Sequence, residues 1–358
     1  MRLRISPESV LERIALKLNL VPTPLVHTQI YFIIARAIMA AADLNIFETI
    51  GGGSKTLDEI SNTAKTHPTA TRHLLDCLAG IGYIKSSGGY YSIQSKYRRW
   101  LLRDFQSNIT AKLHFQFNEW NWMTNLENYI RTGAAIEIHT KMGPSEWKDY
   151  QEGMKVLSVN AAVELAGKIK LSPTASEMLD IGGSYGLYSI ELCKKYPALS
   201  STILELPAAL ESVNLLTAKQ GLAGRVKFKA GDAISDNLGD KVYDLILLNN
   251  VAHHFSAEEN RKLAQKAARA LKPGGMFGIG EFALRAKPGE GGVVASSSGL
   301  YFAMTSKSGS WSTKDINSWQ KEAGLKVKKP INLLRLPGWS LLIATKSCIA
   351  LSPETERN

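Results

Sequence analysis

Glu177-Met-Leu-Asp-Ile-Gly-Gly-Ser-Tyr-Gly-Leu-Tyr-Ser-Ile-Glu-Leu-Cys193 is the stretch on which the fold turns. An apolar run, Met178 to Ile181, breaks at Gly182, Gly183 and Gly186 and resumes with Leu187, Ile190 and Leu192 at helical spacing. That is strand, tight turn, helix. Glycines let a ligand approach bare backbone, and the start of the helix presents unpaired N–H groups to it. A glycine turn also ends many strands that bind nothing, so the residues that follow must discriminate.

Ser201-Thr-Ile-Leu-Glu-Leu-Pro207 is a second β-rich run that ends in an acid. Glu205 lies 19 residues after Gly186, close to the ~20-residue offset at which a carboxylate accepts hydrogen bonds from ribose hydroxyls. A third strand over 226–229 runs into Gly231-Asp232-Ala233. The stretch 243–251 is a long apolar strand, as expected for a parallel strand buried on both faces, and it ends in Ala252-His253-His254-Phe255. A helix over 256–271 opens with Ser256 and Glu259 at capping-box spacing, and a fifth strand covers 276–282. Strands alternating with helices predict a doubly wound parallel α/β sheet whose ligands sit at the carboxyl ends of the strands. Gly182, Glu205, Asp232 and His253 converge there. A helix over 311–323 and strands over 327–329 and 339–345 complete the unit. The loop 283–292 is expected to close over a bound acceptor, and 351–358 to be disordered.

Upstream, Ser6-Pro7-Glu8 reads as the opening of a first helix, serine as cap and proline in the first turn. A second helix over 27–50 is apolar around much of its circumference, so it needs a burial surface such as a partner subunit. Thr56 and Glu59 form a capping box, a helix starts near Thr69 and ends at Gly80, and two short strands flank Ser86-Ser-Gly-Gly89. Two helices, a turn and a hairpin make a winged helix-turn-helix. Its second helix offers base edges only Arg72 and His73, which favours a packing module over a DNA reader. The stretch 106–170 is helical and aromatic, with Phe115, Phe117, Trp120, Trp122, Trp147 and Tyr150. Most of these rings fill a core between helices. Trp120, with Met154 and Asn160, is a candidate wall of an apolar acceptor pocket.

A chain of 358 residues has room for two domains of ~150 residues. Its net charge of +11 comes from scattered basic residues, which argues for solvated surface rather than a nucleic-acid groove. Cys77, Cys193 and Cys348 are far apart and form neither a metal set nor a disulfide framework, so a reducing, cytoplasmic setting is expected. Glu8, Glu12 and Arg13 interrupt any signal peptide, and the most apolar stretch, 30–42, is short for a membrane span and carries Arg36.

Asp180-Ile-Gly-Gly-Ser-Tyr-Gly186, Leu204-Glu-Leu-Pro207, Gly231-Asp232, the His253 segment and Leu271-Lys-Pro-Gly-Gly275 together resemble the class I S-adenosylmethionine-dependent methyltransferases. More narrowly, nearly the whole chain is similar to the small-molecule O-methyltransferase family of plants and bacteria. The resemblance implies a winged-helix dimerisation domain at 1–105, a connector at 106–170 that lines the acceptor pocket, a Rossmann-like seven-stranded methyltransferase domain at 171–348 and a tail at 349–358. It implies S-adenosylmethionine as cofactor, with Asp180, Gly182, Gly183 and Gly186 around the methionine part. Glu205 would meet the ribose, and Asp232 with Ala233 the adenine side, with Leu206, Gly231 and Asn249 also at the cofactor. It implies His253 as general base, Glu281 as the first of two flanking glutamates, and His254 and Tyr301 beside the acceptor. No metal is implied.

The chain departs from the family pattern at three places. Ser184 replaces a loop glycine, Asn249 replaces the lysine that often precedes the histidine, and Ser306-Lys-Ser-Gly-Ser-Trp-Ser312 holds no carboxylate for the second glutamate. The expected protein is a homodimer that methylates a hydroxyl of an aromatic or polyketide-like natural product. Carbon or nitrogen methylation of an isoprenoid or aromatic is the alternative on the same fold. A winged-helix regulator that binds the cofactor without turnover is the alternative of another class.

Overall fold

The computed structural model describes residues 5–212, 222, 224–283 and 289–348. The tail 351–358 and positions 284–288 of the expected closing loop lie outside the described residues. The chain divides into two compact units, one chiefly Leu3–Asn121 with Glu152–Val156, the other Trp122–Gln151 with the chain from Leu157 onward.

In the smaller unit the first helix is Val10–Lys17, one turn later than expected. Its cap is Ser9 rather than Ser6, because Ser9 and Glu12 form a reciprocal capping box. The second helical stretch also differs. It runs Thr23–Asp43 through a π-turn at Val26–Ile30, stops at Asn45, whose φ of 55° asparagine tolerates, and resumes as Ile46–Ile50. The whole stretch Thr23–Asp43, longer than the 30–42 run read from sequence, is long and apolar enough to cross a membrane by length and composition alone, its most apolar window having a mean hydropathy of 1.5. Only 17% of its most apolar window is buried within the chain, which leaves apolar surface that still needs a cover, and Arg36 lies over the Phe117 and Trp120 rings. Helices Leu57–Ala64 and Pro68–Gly80 follow, with Thr56 and Glu59 forming the capping box their spacing predicted. A three-stranded sheet joins β1 (Lys55–Thr56), β2 (Ile84–Ser87) and β3 (Tyr90–Ile93) in the order β1-β3-β2. Ile46, Phe47, Ile60, Leu75, Leu78, Ile84 and Ile93 are its core.

The larger unit is built on β4 (Glu177–Ile181), β5 (Ser200–Glu205), β6 (Val226–Ala230), β7 (Tyr243–Asn249), β8 (Leu271–Glu281), β9 (Lys326–Val327), β10 (Ile331–Asn332) and β11 (Ser340–Thr345). The order is β10-β11-β8-β7-β4-β5-β6, and β9 pairs with the far end of β11. Strands β4 to β8 pair in parallel, and β11 is antiparallel to β8. There are seven strand positions, but the edge beside β11 is split in two. Lys328-Lys-Pro330 interrupts it, and proline supplies no N–H for a ladder. One face is packed by Ile246, Leu248, Phe277, Ile279, Leu263 and Trp319, the other by Met178, Ile190, Ile203, Leu245 and Leu341. Strand order reverses between β4 and β7, so their carboxyl ends open a crevice at a topological switch point.

Candidate active site at the carboxyl ends of the sheet

The glycine loop after β4 is tightly built. Gly182, Ser184 and Gly186 have φ of 66°, 49° and 68°. A Cβ on Gly182 would lie 2.5 Å from Val251 Cγ2, and one on Gly183 would lie 2.7 Å from the Asp180 carboxylate. A Cβ on Gly186 would run into Ile203. Ser184, where a glycine was expected, takes the left-handed conformation that side chains seldom adopt. Its N–H donates to Glu205 Oε1 at 3.1 Å, while the Leu206 N–H donates to Glu205 Oε2 at 2.9 Å. Glu205 therefore stands at the end of β5 with its carboxylate tied to the loop. Burial raises its pKa against those two hydrogen bonds.

Asp180 is fully buried and accepts from the Ser189 hydroxyl at 2.7 Å. Burial pushes its pKa up to about 7. Its Oδ1, the Ser184 hydroxyl and both amide atoms of Asn249 are buried without a hydrogen-bond partner among the described residues. Buried polar atoms left unpaired are costly, so a cluster of them at one crevice points to a polar ligand. Asp232 caps its own turn, accepting from the Ile234 N–H at 2.9 Å, and it is exposed. Ala233 beside it is buried, and a Cβ on Gly231 would strike the Asp236 carboxylate. These residues come from β4, β5, β6 and β7, as the parallel topology requires.

His253 sits on a short 3-10 turn, Ala252–His254, just after β7. Its Nδ1–H donates to the Glu281 carboxylate, 3.0 Å from Oε1 and 3.1 Å from Oε2, and its backbone N–H donates to Oε1 at 3.3 Å. Both side chains are buried, His253 at 2% and Glu281 at 3% exposure. The Phe302 ring stacks on the imidazole at 3.9 Å and 13°. With Nδ1 held by the carboxylate, Nε2 carries the free lone pair. His254 lies beside His253, with ring centroids 4.1 Å apart. His139 meets His254 edge-on at 4.4 Å and 88°, and Trp147 and Tyr150 flank His139 at 5.3 and 4.9 Å. Burial, helped by His253, lowers the His139 pKa to about 4, and burial lowers His254 well below its ordinary value.

Residues 124–326 match the family model for an O-methyltransferase domain, more than half of the chain. The chain belongs to that family. It is an S-adenosylmethionine-dependent methyltransferase. It is 30% identical over 328 residues to an L-tyrosine C(3)-methyltransferase of Streptomyces lavendulae, covering 86% of this chain and 88% of that one. It is 27% identical over 252 residues to the mitomycin biosynthesis 6-O-methyltransferase of the same organism, covering 67% and 71%. The structure of human N-acetylserotonin methyltransferase in complex with S-adenosylmethionine superposes with a TM-score of 0.76 at 18% identity, covering 96% of this chain and all of that one.

Within the methyltransferase unit, the residues expected at the cofactor gather in the crevice, and His253 and Glu281 form one hydrogen-bonded pair. Tyr301 lies on helix Gly292–Thr305 with its ring against Phe302, at 5.6 Å. Asn160 is half-buried on helix Pro144–Lys168. Trp120 and Met154 belong to the smaller unit, where the Trp120 ring packs on Phe32 at 5.0 Å. Sequence reasoning missed His139 and Phe302. Neither lies in a motif, and each meets its histidine only through contacts distant in sequence. Where a second glutamate was sought, Ser306 and Ser310 bring buried hydroxyls without a partner among the described residues.

Proposed function

We propose that the enzyme methylates a hydroxyl of a small aromatic or polyketide-like acceptor, with His253 as general base. The observation that carries this is the two-oxygen grip of Glu281 on His253 Nδ1, 3.0 and 3.1 Å long and buried from water. It fixes the tautomer whose Nε2 accepts a proton, and it stabilises the imidazolium that results. S-adenosylmethionine, when bound, supplies an electrophilic methyl group on a sulfonium. The loop Gly182–Gly186, Glu205, Leu206, Asp232, Ala233 and Asn249 are the residues that would hold it, and the unpaired atoms of Asp180, Ser184 and Asn249 suit that polar ligand. What remains for the chain is orientation and a dry pocket, so that the acceptor oxygen meets the methyl group in line.

The similarity to a mitomycin 6-O-methyltransferase supports an oxygen acceptor. A carbon acceptor is the second reading, favoured by the L-tyrosine C(3)-methyltransferase relative and by serines where a second carboxylate was expected. The smaller unit would pair two copies of the chain. Val10, Leu11, Ile14, Leu18, Phe32 and Ile33 are exposed there, an apolar face that a second subunit would cover. The division at 105 and 170, an acceptor wall that includes Trp120, Met154, Asn160 and Tyr301, and a cytoplasmic location belong to the same proposal.

His253→Ala is expected to lower kcat by 10²-fold or more, in the range of a lost general base, with cofactor affinity by calorimetry unchanged. Turnover at the parental rate on an oxygen acceptor would remove His253 from the mechanism. Mass spectrometry of products from a panel of phenols, amines and activated ring carbons separates the two acceptor readings.

A further inference from the structure

We propose that His139 and His254 form an anion subsite for the acceptor, in which His139 is a specificity-determining residue that takes a carboxylate borne on the same ring as the atom being methylated. This rests on the methyltransferase reading of the His253 site and adds the acceptor's charge to it.

The two imidazoles come from distant segments. His254 extends the turn of the proposed base, and His139 lies on a separate 3-10 turn, Ile138–Thr140. The Ile136 N–H donates to the Met304 carbonyl at 2.9 Å, which ties the segment before that turn to the helix that carries Phe302. The three histidine rings thus form one row, His253, His254, His139, with centroid steps of 4.1 and 4.4 Å. Trp147 and Tyr150 wall its far end and Phe302 its near end. His253 is committed to Glu281. Among the described residues, neither the His139 nor the His254 ring makes a side-chain hydrogen bond, and both residues are only partly buried, which leaves their ring nitrogens open to a ligand.

Two ring nitrogens without a protein partner, inside an aromatic wall, are placed to meet a ligand group. The chemistry selects an anion. Among the described residues, the titratable groups in ring contact with the pair are His253, with Glu281 beyond it, and Tyr150. The Glu281 charge is already engaged by His253, and the segment 306–312 adds hydroxyls but no carboxylate to repel an anion. Burial keeps both imidazoles neutral while the subsite holds no anion. A carboxylate brought alongside reverses that preference, and the pair takes one proton from solvent to match it. A neutral amide gives no such gain. The flat aromatic walls suit a ring bearing the carboxylate.

The test is calorimetry on the full-length protein loaded with S-adenosylhomocysteine, titrated with 3-hydroxybenzoate and with 3-hydroxybenzamide, in PIPES and in Tris. Wild type should bind the carboxylate at least about tenfold tighter than the amide. The carboxylate alone should bind with uptake of about one proton, read from the difference between buffers. His139→Phe keeps a ring in the wall, and it should erase both the preference and the proton uptake. Amide and S-adenosylhomocysteine affinities should stay within about twofold. Equal binding of the two probes, binding of neither, or an unchanged preference in His139→Phe overturns the proposal. Failure of wild type to bind S-adenosylhomocysteine would instead overturn the cofactor site on which it rests.

Discussion

Glu281 is the residue that turns an ordinary imidazole into an oriented one, since it accepts from both the ring and the backbone N–H of His253. Glu281→Gln keeps the shape and removes the charge that stabilises the imidazolium. We expect kcat to fall by roughly 10- to 100-fold with cofactor affinity intact, and the double variant with His253→Ala to be no worse than His253→Ala alone, by steady-state kinetics. Asp180 carries a different signature. Burial raises its folded pKa to about 7, above the ~3.9 of an unfolded aspartate. The folded state therefore holds the proton more tightly, and this contribution to stability is full below pH ~3.9 and lost as pH climbs through about 7. In the cofactor-free protein, Asp180→Asn should raise the urea midpoint at pH 8, with the gain shrinking towards pH 5. A lower midpoint at pH 8 would show that the carboxylate is stabilised by the fold rather than tolerated by it.

At the scale of elements, helix Pro144–Lys168 is clamped to the turn before β11. Glu164 accepts from the Leu334 and Arg335 N–H groups, each at 2.9 Å, and pairs with Lys168 at 2.7 Å. Burial alone would raise the Glu164 carboxyl, but these hydrogen bonds and the Lys168 charge outweigh it and hold its pKa at about 2. The stabilisation is present above the ordinary carboxylate range and is lost as pH falls towards about 2. Glu164→Gln should cost on the order of 1–3 kcal/mol at pH 7 by chemical denaturation, and the difference should narrow below pH ~4.5. In β8, a Cβ on Gly280 would run into the Trp339 ring and the Asn249 amide. Gly280→Ala should cost about 1–3 kcal/mol and weaken the cofactor through Asn249. Two capping boxes were legible from a serine or threonine three residues ahead of an acid, at Thr56 and Ser256, whereas the one at Ser312 and Asp315 was not read. Ser9 and Glu12 fit the same spacing, but Ser6-Pro7 offered a competing start, and only the formed hydrogen bonds separate the two.

For the whole molecule, the first helices expose a set of large apolar side chains among the described residues. Leu11 is 79% exposed and Ile14 48%. Sedimentation velocity should give a dimer for the parent chain and a shift to monomer for Leu11→Glu with Ile14→Glu, while a parental dimer in that variant would move the interface elsewhere. The sequence alone determined the larger unit. Glycine turn, strand-end acid, histidine and alternating apolar runs are local patterns, and parallel topology forces the carboxyl ends of neighbouring strands to one edge. That is why Gly182, Glu205, Asp232 and His253 were placed together without coordinates. Tertiary structure alone decided which atoms are satisfied and which rings meet. The pairing of Glu281 with His253 Nδ1, the stacking of Phe302 and the approach of His139 to His254 join residues from separate segments, and no period or spacing along the chain encodes such contacts. They depend on how side chains pack once the sheet has formed, and it is there that the chemistry of the acceptor is written.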